Sequence, residues 1–167
     1  QPVEKAVADS IDFVARTEAT ATVDLRARVN GYLEQILFED GANVNKGDVL
    51  FIIRQEPFQV ALDAAQAELE CAQAELELAQ SEFRRIEPLV PQQAVTQAEL
   101  DKQAALVKTS AANVAFAETA VRRAKIDLGY SEVRAPISGR IGRHLIDGGN
   151  LVQAETTHLE IFQSIDP

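Results

Sequence analysis

The sequence predicts an α+β fold in which a small β-sandwich is split by a long antiparallel helical hairpin. The first observation is a short pattern of residues that occurs twice. Its first copy contains Gly31 and its second contains Gly139, and the other matching residues of the two copies are separated by the same number of positions. The second is the segment between the copies, where apolar residues recur at alternating steps of four and three. The third is that neither copy is long enough to bury its own apolar face, so the two copies are expected to pack on each other.

The first half of the sandwich begins with a predicted strand over 22–29, where apolar and polar side chains alternate. Gly31 allows a bend before a second β-rich run at 32–38. Two turn clusters lie within 39–48, and the apolar residues 49–53 predict a short buried strand.

The first helix of the hairpin is predicted to begin at Pro57, which suits a first helical turn, and to end at Glu87-Pro88. A heptad seam runs along it for about four repeats. Glutamates lie off this seam, as is typical of a solvated face. The seam consists of Phe58, Leu62, Ala65, Leu69, Ala72, Leu76, Ala79, Phe83 and Ile86.

The second helix is predicted to begin at a capping box from Thr96 to Glu99 and to stop at Gly129. Its seam contains Leu100, Val107, Val114, Val121 and Leu128, with Ala104, Ala111, Ala117 and Ala124 between them. Each helix of about 31 residues would span roughly 46 Å. The short connection makes the helices antiparallel, and an alanine-rich flank is left exposed for packing against lateral partners.

The second half of the sandwich repeats the order of the first. A strand is predicted at 130–134, Pro136 and Gly139 punctuate the chain, and a turn follows at 147–150. The closing strand at 159–162 is slipped by one residue relative to 50–53.

Composition excludes several function classes. The 167 residues carry a formal net charge of −10, which argues against binding nucleic acid or anionic lipid. No apolar run approaches the ~20 residues of a membrane span. Cys71 is the single cysteine and is predicted to be a small helix residue. With no methionine and with His144 and His158 isolated in sequence, neither a metal site, a bound cofactor nor a catalytic triad is predicted.

The segment Gly-Ala-Asn-Val-Asn-Lys-Gly-Asp-Val-Leu at 41–50 resembles the signature of lipoyl and biotinyl domains. In such carriers a lysine stands at the tip of the hairpin that joins the two halves. That hairpin would begin here near 55–57, where no lysine is present, and Lys46 lies in a different turn. A carrier function is therefore the disfavoured alternative, with no enzymatic role predicted.

A lipoyl-like sandwich split by a coiled-coil hairpin resembles the periplasmic adaptors, or membrane fusion proteins, of tripartite efflux pumps (the HlyD/AcrA/MexA type). The resemblance covers 20–167 and includes Arg-Val-Asn-Gly-Tyr-Leu at 28–33, Ile-Asp-Pro at 165–167 and the run Leu-Gly-Tyr-Ser-Glu-Val-Arg-Ala-Pro-Ile-Ser-Gly-Arg-Ile-Gly at 128–142. It implies a periplasmic, non-enzymatic subunit of a multidrug pump of the resistance-nodulation-division type. Its implied partners are an inner-membrane transporter, an outer-membrane channel and further copies of itself in a ring.

The resemblance also implies a channel-binding site at the hairpin tip, formed by Arg85, Leu89 and Thr96, with threonine in place of the family's serine. Thr96 is expected to cap the second helix as well. An adaptor for type I secretion or for another transporter class would use the same scaffold and remains an alternative.

The resemblance divides the chain into domains. Residues 22–56 and 129–162 form the sandwich, and 57–128 form the hairpin with its tip at 87–96. The segments 1–21 and 163–167 are expected to be stubs of an adjoining β-barrel and membrane-proximal region, so that the chain would be a truncated form.

Overall fold

Two four-stranded antiparallel sheets form a sandwich in the computed structural model, which describes residues 22–163. Of the predicted stubs, 1–21 and 164–167 lie outside the described residues, and Gln163 ends the last strand. The strands are β1 (Thr22–Arg26), β2 (Gly31–Ile36), β3 (Asn43–Val44), β4 (Val49–Ile53), β5 (Glu132–Arg134), β6 (Gly139–Ile141), β7 (Leu151–Val152) and β8 (His158–Gln163).

A helical hairpin joins β4 to β5. It consists of α1 (Glu56–Ile86), a 3-10 helix (Glu87–Leu89) and α2 (Gln97–Tyr130). The mixed fold predicted from the sequence is thus confirmed.

The two copies of the repeat are interlaced rather than stacked side by side. One sheet has the order β1-β8-β6-β3 and the other has the order β5-β4-β2-β7. The repeat offset carries β1, β2 and β3 onto β5, β6 and β7, and it carries β4 onto β8 with the predicted slip of one residue. Because this shift exchanges the two sheets, each copy supplies two strands to each sheet, and neither sheet can form from one copy alone.

Strand register follows the same repeat. Gly31 of β2 pairs with Val152 of β7. At the equivalent positions of the repeat, Gly139 of β6 pairs with Val44 of β3. The sandwich therefore has quasi-twofold symmetry down to its backbone hydrogen bonds.

The core lies between the sheets. The largest side chains that are fully buried there include Phe51, Leu33, Leu50, Ile53, Ile141 and Leu159. Phe51 meets Phe38 edge-to-face, with ring centroids 5.1 Å apart. The predicted alternation over 22–29 is confirmed, since Leu25, Ala27 and Val29 are buried, but the strand itself is shorter than predicted and ends at Arg26.

Hydrogen bonds join the two halves at equivalent positions. The Gly47 N–H donates to the Ala135 carbonyl at 2.9 Å, and at the matching positions of the repeat the Glu155 N–H donates to the Ala27 carbonyl at 2.8 Å. Both donors adopt positive φ, +97° at Gly47 and +60° at Glu155. The second copy thus keeps a left-handed turn although a glutamate stands where the first copy has glycine.

A second pair of equivalent hydrogen bonds explains why a small polar residue precedes each repeat glycine. The Ser138 hydroxyl accepts from the Lys46 N–H at 2.9 Å, and the Asn30 side-chain oxygen accepts from the Ala154 N–H at 2.7 Å. Each half therefore satisfies a turn in the other half.

The α1 seam was predicted correctly, because every residue of it is buried or half-buried, with Leu62, Ala72 and Ala79 the most enclosed. The α2 seam was correct for its large residues and partly wrong for the small ones. Ala111 is exposed, whereas Ser110 is buried. In a strict heptad repeat, seam positions alternate at steps of three and four, so the position after Val107 is Ser110. Supercoiling of the two helices keeps this position against α1.

Two helix ends differ from prediction. Glu87 stays in the right-handed helical region, at φ −48° and ψ −49°, and the chain tightens into the 3-10 helix before turning. Gly129 does not stop α2, which continues to Tyr130, so the predicted strand at 130–134 is shortened to Glu132–Arg134. The Ser131 N–H, rather than a left-handed glycine, closes α2 by donating to the Leu128 carbonyl.

Candidate functional site at the base and tip of the hairpin

The base of the hairpin is fixed to the sandwich through the chain segments that enter and leave it. The Ile53 N–H donates to the carbonyl of the buried residue Ser131 at 2.8 Å, and the Gln55 side chain donates to Glu132 at 3.2 Å. The hydrogen bond from Gln55, followed by that from Arg134, lowers the pKa of the Glu132 carboxyl. Because both connections are hydrogen-bonded, the hairpin projects from the sheets in one direction.

Two cation–π contacts add to this base, and no specific pattern in the sequence pointed to them. The Arg28 guanidinium carbon lies 5.1 Å from the centroid of the Tyr130 ring, and that of Arg54 lies 5.3 Å from the Tyr32 ring. Each contact is worth about 0.5–1 kcal/mol at an exposed site. Tyr130 is in the last turn of α2, so Arg28 links that turn to the first half of the sandwich.

The tip is the part of the hairpin where the family resemblance implies a binding site. The chain leaves α1 at Ile86, turns through the 3-10 helix and residues 90–95, and enters α2 at Gln97. Gln93 adopts a positive φ of +58° in this turn, and its N–H donates to the Val90 carbonyl at 2.9 Å. The Ala94 N–H donates to the Leu89 carbonyl at 3.2 Å, so the turn is internally hydrogen-bonded.

Arg85 is placed in the last turn of α1 with its side chain 71% exposed. Its guanidinium pairs with Glu82, one turn earlier on the same helix. Exposed pairs of this kind contribute only about 0.3–0.5 kcal/mol. The Arg85 donors are therefore only weakly engaged by Glu82 and remain available to carbonyl or carboxylate acceptors outside the chain.

Leu89 and Thr96 lie at the two sides of the turn. Leu89 is half-buried at the end of the 3-10 helix. Thr96 is the N-cap of α2, where its hydroxyl accepts from the Glu99 N–H at 3.3 Å. The predicted cap by Thr96 is confirmed. In a capping box the Glu99 carboxylate would turn back to the N-cap, but here it accepts from the Gln103 side chain on the following turn, at 3.3 Å.

The remaining candidates for chemistry are dispersed over the surface. Each histidine, isolated in sequence, lies beside an aspartate from a distant part of the chain: His144 contacts Asp40 at 2.7 Å and His158 contacts Asp24 at 2.9 Å. Lys46 is exposed in the turn between β3 and β4, away from the junction with α1. Cys71 is exposed on α1. Within 22–163, no group of three potential metal-ligating side chains is found, and no helix combines the length and the apolar content needed to cross a bilayer.

Comparison with known families identifies the family to which the chain belongs. The profile described as RND MFP (resistance-nodulation-division membrane fusion protein), barrel-sandwich hybrid domain, matches residues 21–163. The chain belongs to this membrane fusion protein family. The match covers both halves of the sandwich and the whole hairpin, so the family resemblance seen in the sequence is confirmed.

Curated relatives agree with this assignment. The efflux pump periplasmic linker BepF of Brucella suis biovar 1 is 41% identical over 164 residues, which cover 98% of this chain and 40% of that protein. The membrane fusion protein MtrC of Neisseria gonorrhoeae is 39% identical over 96% of this chain and 39% of its own length. The chain thus spans about two fifths of the length of these membrane fusion proteins.

Among solved structures, MacA from Actinobacillus actinomycetemcomitans aligns with 89% of this chain and 50% of its own, at a TM-score of 0.62 and 27% identity. A MacA-MexA chimera that carries the Pseudomonas aeruginosa MexA α-hairpin domain aligns with 88% of this chain and 49% of its own, at a TM-score of 0.52 and 26% identity. The split sandwich and its hairpin are therefore the architecture of the family.

Proposed function

We propose that this protein is a periplasmic adaptor of a tripartite multidrug efflux pump of the resistance-nodulation-division type. In this role it links an inner-membrane transporter to an outer-membrane channel, assembles in several copies, and has no catalytic activity. Family membership and the names of relatives such as the efflux pump linker BepF support the pump assignment. Attachment to the inner membrane is part of the proposal.

The observation that carries the proposal is a long hairpin whose base is fixed to the sandwich and whose tip, among residues 22–163, lies at the far end of the helices. With 31 residues in α1, the hairpin reaches roughly 46 Å from the sandwich. Its base is hydrogen-bonded to the sheets, whereas its tip presents an exposed arginine and a half-buried leucine. Such a projecting arm suits contact with a partner at a distance.

At the tip we assign Arg85, Leu89 and Thr96 to the channel. Arg85 would donate hydrogen bonds to carbonyl oxygens on the channel, and Leu89 would add apolar contact beside it. Thr96 would contribute mainly by holding the start of α2 in place.

The test is drug susceptibility of a strain that depends on the full-length protein, together with recovery of the channel in pull-downs. For the double variant Arg85→Ala with Leu89→Ala we expect loss of resistance and about 30-fold weaker channel binding, as for a hot spot of about 2 kcal/mol. Stability should change little, since only an exposed ion pair and a half-buried leucine are lost.

Lys125→Ala is the matched control, because it removes an exposed cation near the base. Thr96→Ser keeps both hydroxyl and cap and should retain full resistance. Wild-type resistance and channel recovery in the double variant would disprove the tip assignment. Resistance that depends on a secretion transporter instead would favour the alternative adaptor class.

A further inference from the structure

The outermost part of the hairpin carries no charge. No residue at 88–98 is charged, although charged residues make up 25% of the chain. Charges resume directly on both sides, at Glu87 and at Glu99. We call residues 88–98 the apex. A partner that meets the apex is therefore recognised there through neutral hydrogen bonds and apolar contact rather than through ion pairs.

Four side chains of the apex can form neutral hydrogen bonds, and three of them are engaged within the chain. The Gln92 and Gln97 amides donate to acceptors four residues away in the sequence, and the Thr96 hydroxyl caps α2. The fourth is Gln93, which is exposed. Among the side-chain hydrogen bonds within 22–163, none involves Gln93, so its amide is available to a group outside the described chain.

Gln93 also has a backbone conformation that a glutamine adopts at a cost. Its φ of +58° lies in the left-handed region, where a Cβ is too close to the following carbonyl oxygen and where glycine is the usual residue. Glycine at this position would adopt the same turn without the strain. The shape of the turn alone therefore does not explain why a glutamine side chain stands at its outer end.

The left-handed residue completes a Schellman motif that also holds Leu89. The Ala94 N–H donates to the Leu89 carbonyl at 3.2 Å, and the Gln93 N–H donates to the Val90 carbonyl at 2.9 Å. These are the two hydrogen bonds of the motif, and the left-handed conformation turns the chain back so that both can form. The backbone of Gln93 is thus fixed relative to Leu89, one of the residues proposed to contact the channel.

A glutamine amide can bind a backbone peptide group in a way that a charged or an apolar side chain cannot. Its oxygen accepts from an N–H, and its NH2 group donates to a C=O. Backbone groups of both kinds lack partners at turns and helix ends, because the regular hydrogen bonds are interrupted there. The neutral apex, the unengaged amide and the fixed turn all fit a peptide group of this kind.

We propose that Gln93 determines the specificity of the tip by pairing its side-chain amide with one exposed backbone peptide group at a turn or helix end of the outer-membrane channel. The inference rests on the proposed function and deepens it, since it names the chemistry that the apex recognises. Arg85 and Leu89 supply a charged donor and apolar contact beside this pair. A surface that offers only carboxylates would leave the Gln93 oxygen unpaired and would be rejected.

The test compares the affinity of full-length Gln93 variants for the purified outer-membrane channel of a strain whose drug resistance depends on the protein. Gln93→Gly removes the amide and relieves the backbone, Gln93→Ala removes the amide alone, and Gln93→Glu keeps the length but replaces the NH2 donor by an oxygen. Each should bind the channel about tenfold more weakly, because a hydrogen bond to the peptide group is lost. Drug resistance should fall in parallel.

Thermal stability separates a contact with the channel from a structural role of Gln93. The melting temperature of Gln93→Gly should equal or exceed that of wild type, because glycine forms the left-handed turn without strain. The proposal therefore requires a variant that is at least as stable as wild type and yet binds weakly. Wild-type affinity of Gln93→Gly would show that only the backbone matters, and wild-type affinity of Gln93→Glu would show that the donor is not used. Either result overturns the proposal.

Gln92→Ala is the matched control. Gln92 is the neighbouring exposed glutamine, and its amide is already bound to the Pro88 carbonyl within the apex. This variant should bind the channel as wild type does. A loss of affinity equal to that of Gln93→Gly would show that the apex tolerates no change at either glutamine, and it would overturn the specific assignment to Gln93.

The double variant Arg85→Ala with Leu89→Ala distinguishes failure of this contact from failure of the adaptor function. Wild-type channel binding by the double variant would contradict the tip assignment in the proposed function, whatever the Gln93 variants do. Weak binding by the double variant together with wild-type binding by Gln93→Gly would leave the tip assignment intact and would overturn the role of Gln93 alone.

Discussion

The sandwich and the hairpin solve the problem of burying apolar surface in opposite ways. The sandwich is closed on itself, since its two copies interlace and enclose large side chains such as Phe51 and Leu33 at 0% and 1% exposure. The hairpin buries one seam per helix and leaves large apolar side chains on its outward faces in solvent, with Phe116 at 79% exposure. The sandwich thus buries its large apolar side chains between its own two sheets, whereas the hairpin leaves several of its own exposed.

The greatest loss of stability is expected from a change in the sandwich core that leaves the hairpin seam intact. Phe51→Ala should lower the free energy of unfolding by about 3–5 kcal/mol, because the fully buried ring is lost and a cavity is left in its place. Leu76→Ala on the α1 seam should cost only about 1–2 kcal/mol, because its half-buried side chain removes less apolar area from water. Urea denaturation of both variants measures the difference. Equal losses would show that the hairpin seam is as critical to stability as the core.

A pair of glycines tests the same contrast, because one substitution should have opposite signs in the two regions. A Cβ on Gly31 would lie 2.6 Å from Cγ2 of the buried residue Ile53, so Gly31→Ala should destabilise by about 1–3 kcal/mol. Gly129 lies inside α2 with nothing within 4 Å of the added Cβ. Gly129→Ala should therefore stabilise by up to about 0.5–1 kcal/mol. Thermal unfolding of the two variants, side by side, checks the sign; a loss of stability in Gly129→Ala would contradict this account.

Much of the difference between sandwich and hairpin could be predicted from residue spacing. The constant offset between the two glycine-containing patterns revealed the repeat, and the α1 seam followed from the period of its apolar residues. Interlacing could not be predicted, because spacing does not say which sheet a strand joins. Local rules also failed where tertiary contacts dominate: Gly129 stays helical because the chain is held beyond it, where the Ser131 carbonyl accepts from Ile53.

The α2 seam shows the limit of assigning single positions from composition. Ala111 and Ser110 are both small, and either could fill a narrow interface. Which of them faces α1 depends on the seven-residue repeat continued along the whole helix, which buries Ser110 and exposes Ala111. The tip is a different case. Its binding residues are implied by the family resemblance. The structure adds the exposure of Arg85 and confirms the cap predicted at Thr96, while contact with a channel stays a prediction.

Within the sandwich, the two copies themselves differ at one turn. Glu155 occupies the left-handed conformation that its counterpart Gly47 adopts without a Cβ penalty. Glu155→Gly should therefore stabilise by about 1 kcal/mol, since a non-glycine residue in this region carries a strain of about that size. The Arg26 side chain donates to the Glu155 carbonyl, a backbone contact that the substitution keeps. Gly47→Ala is the reciprocal variant and should be destabilising by a similar amount; two changes of the same sign in thermal melts would contradict the equivalence of the turns.

The weakest effect is expected from a polar clamp between the two halves of the sandwich. Asp40 accepts from both the backbone N–H and the ring of His144, at 3.2 and 2.7 Å. The Asp40 carboxylate raises the pKa of His144 above its ordinary 6.5, and the histidine in turn lowers the pKa of Asp40 below its ordinary 3.8. The histidine's contribution is thus fully present below pH 6.5 and is lost as pH rises through its elevated pKa, while that of Asp40 is present above pH 3.8 and is lost as pH falls through its depressed pKa.

The test compares the melting temperatures of wild type and His144→Ala from acid to mildly alkaline pH. Wild type should exceed the variant by the largest margin between pH 3.8 and pH 6.5, the ordinary pKa values of the two groups. The margin should shrink as the pH rises through the elevated pKa of His144, when the ring loses its proton and the ion pair becomes a neutral hydrogen bond. His158→Ala serves as the comparison, because the pKa of its partner Asp24 is lowered first by Arg26 and only then by His158. A margin for His144→Ala that stays constant from acid to mildly alkaline pH would show that the clamp acts through packing rather than through charge.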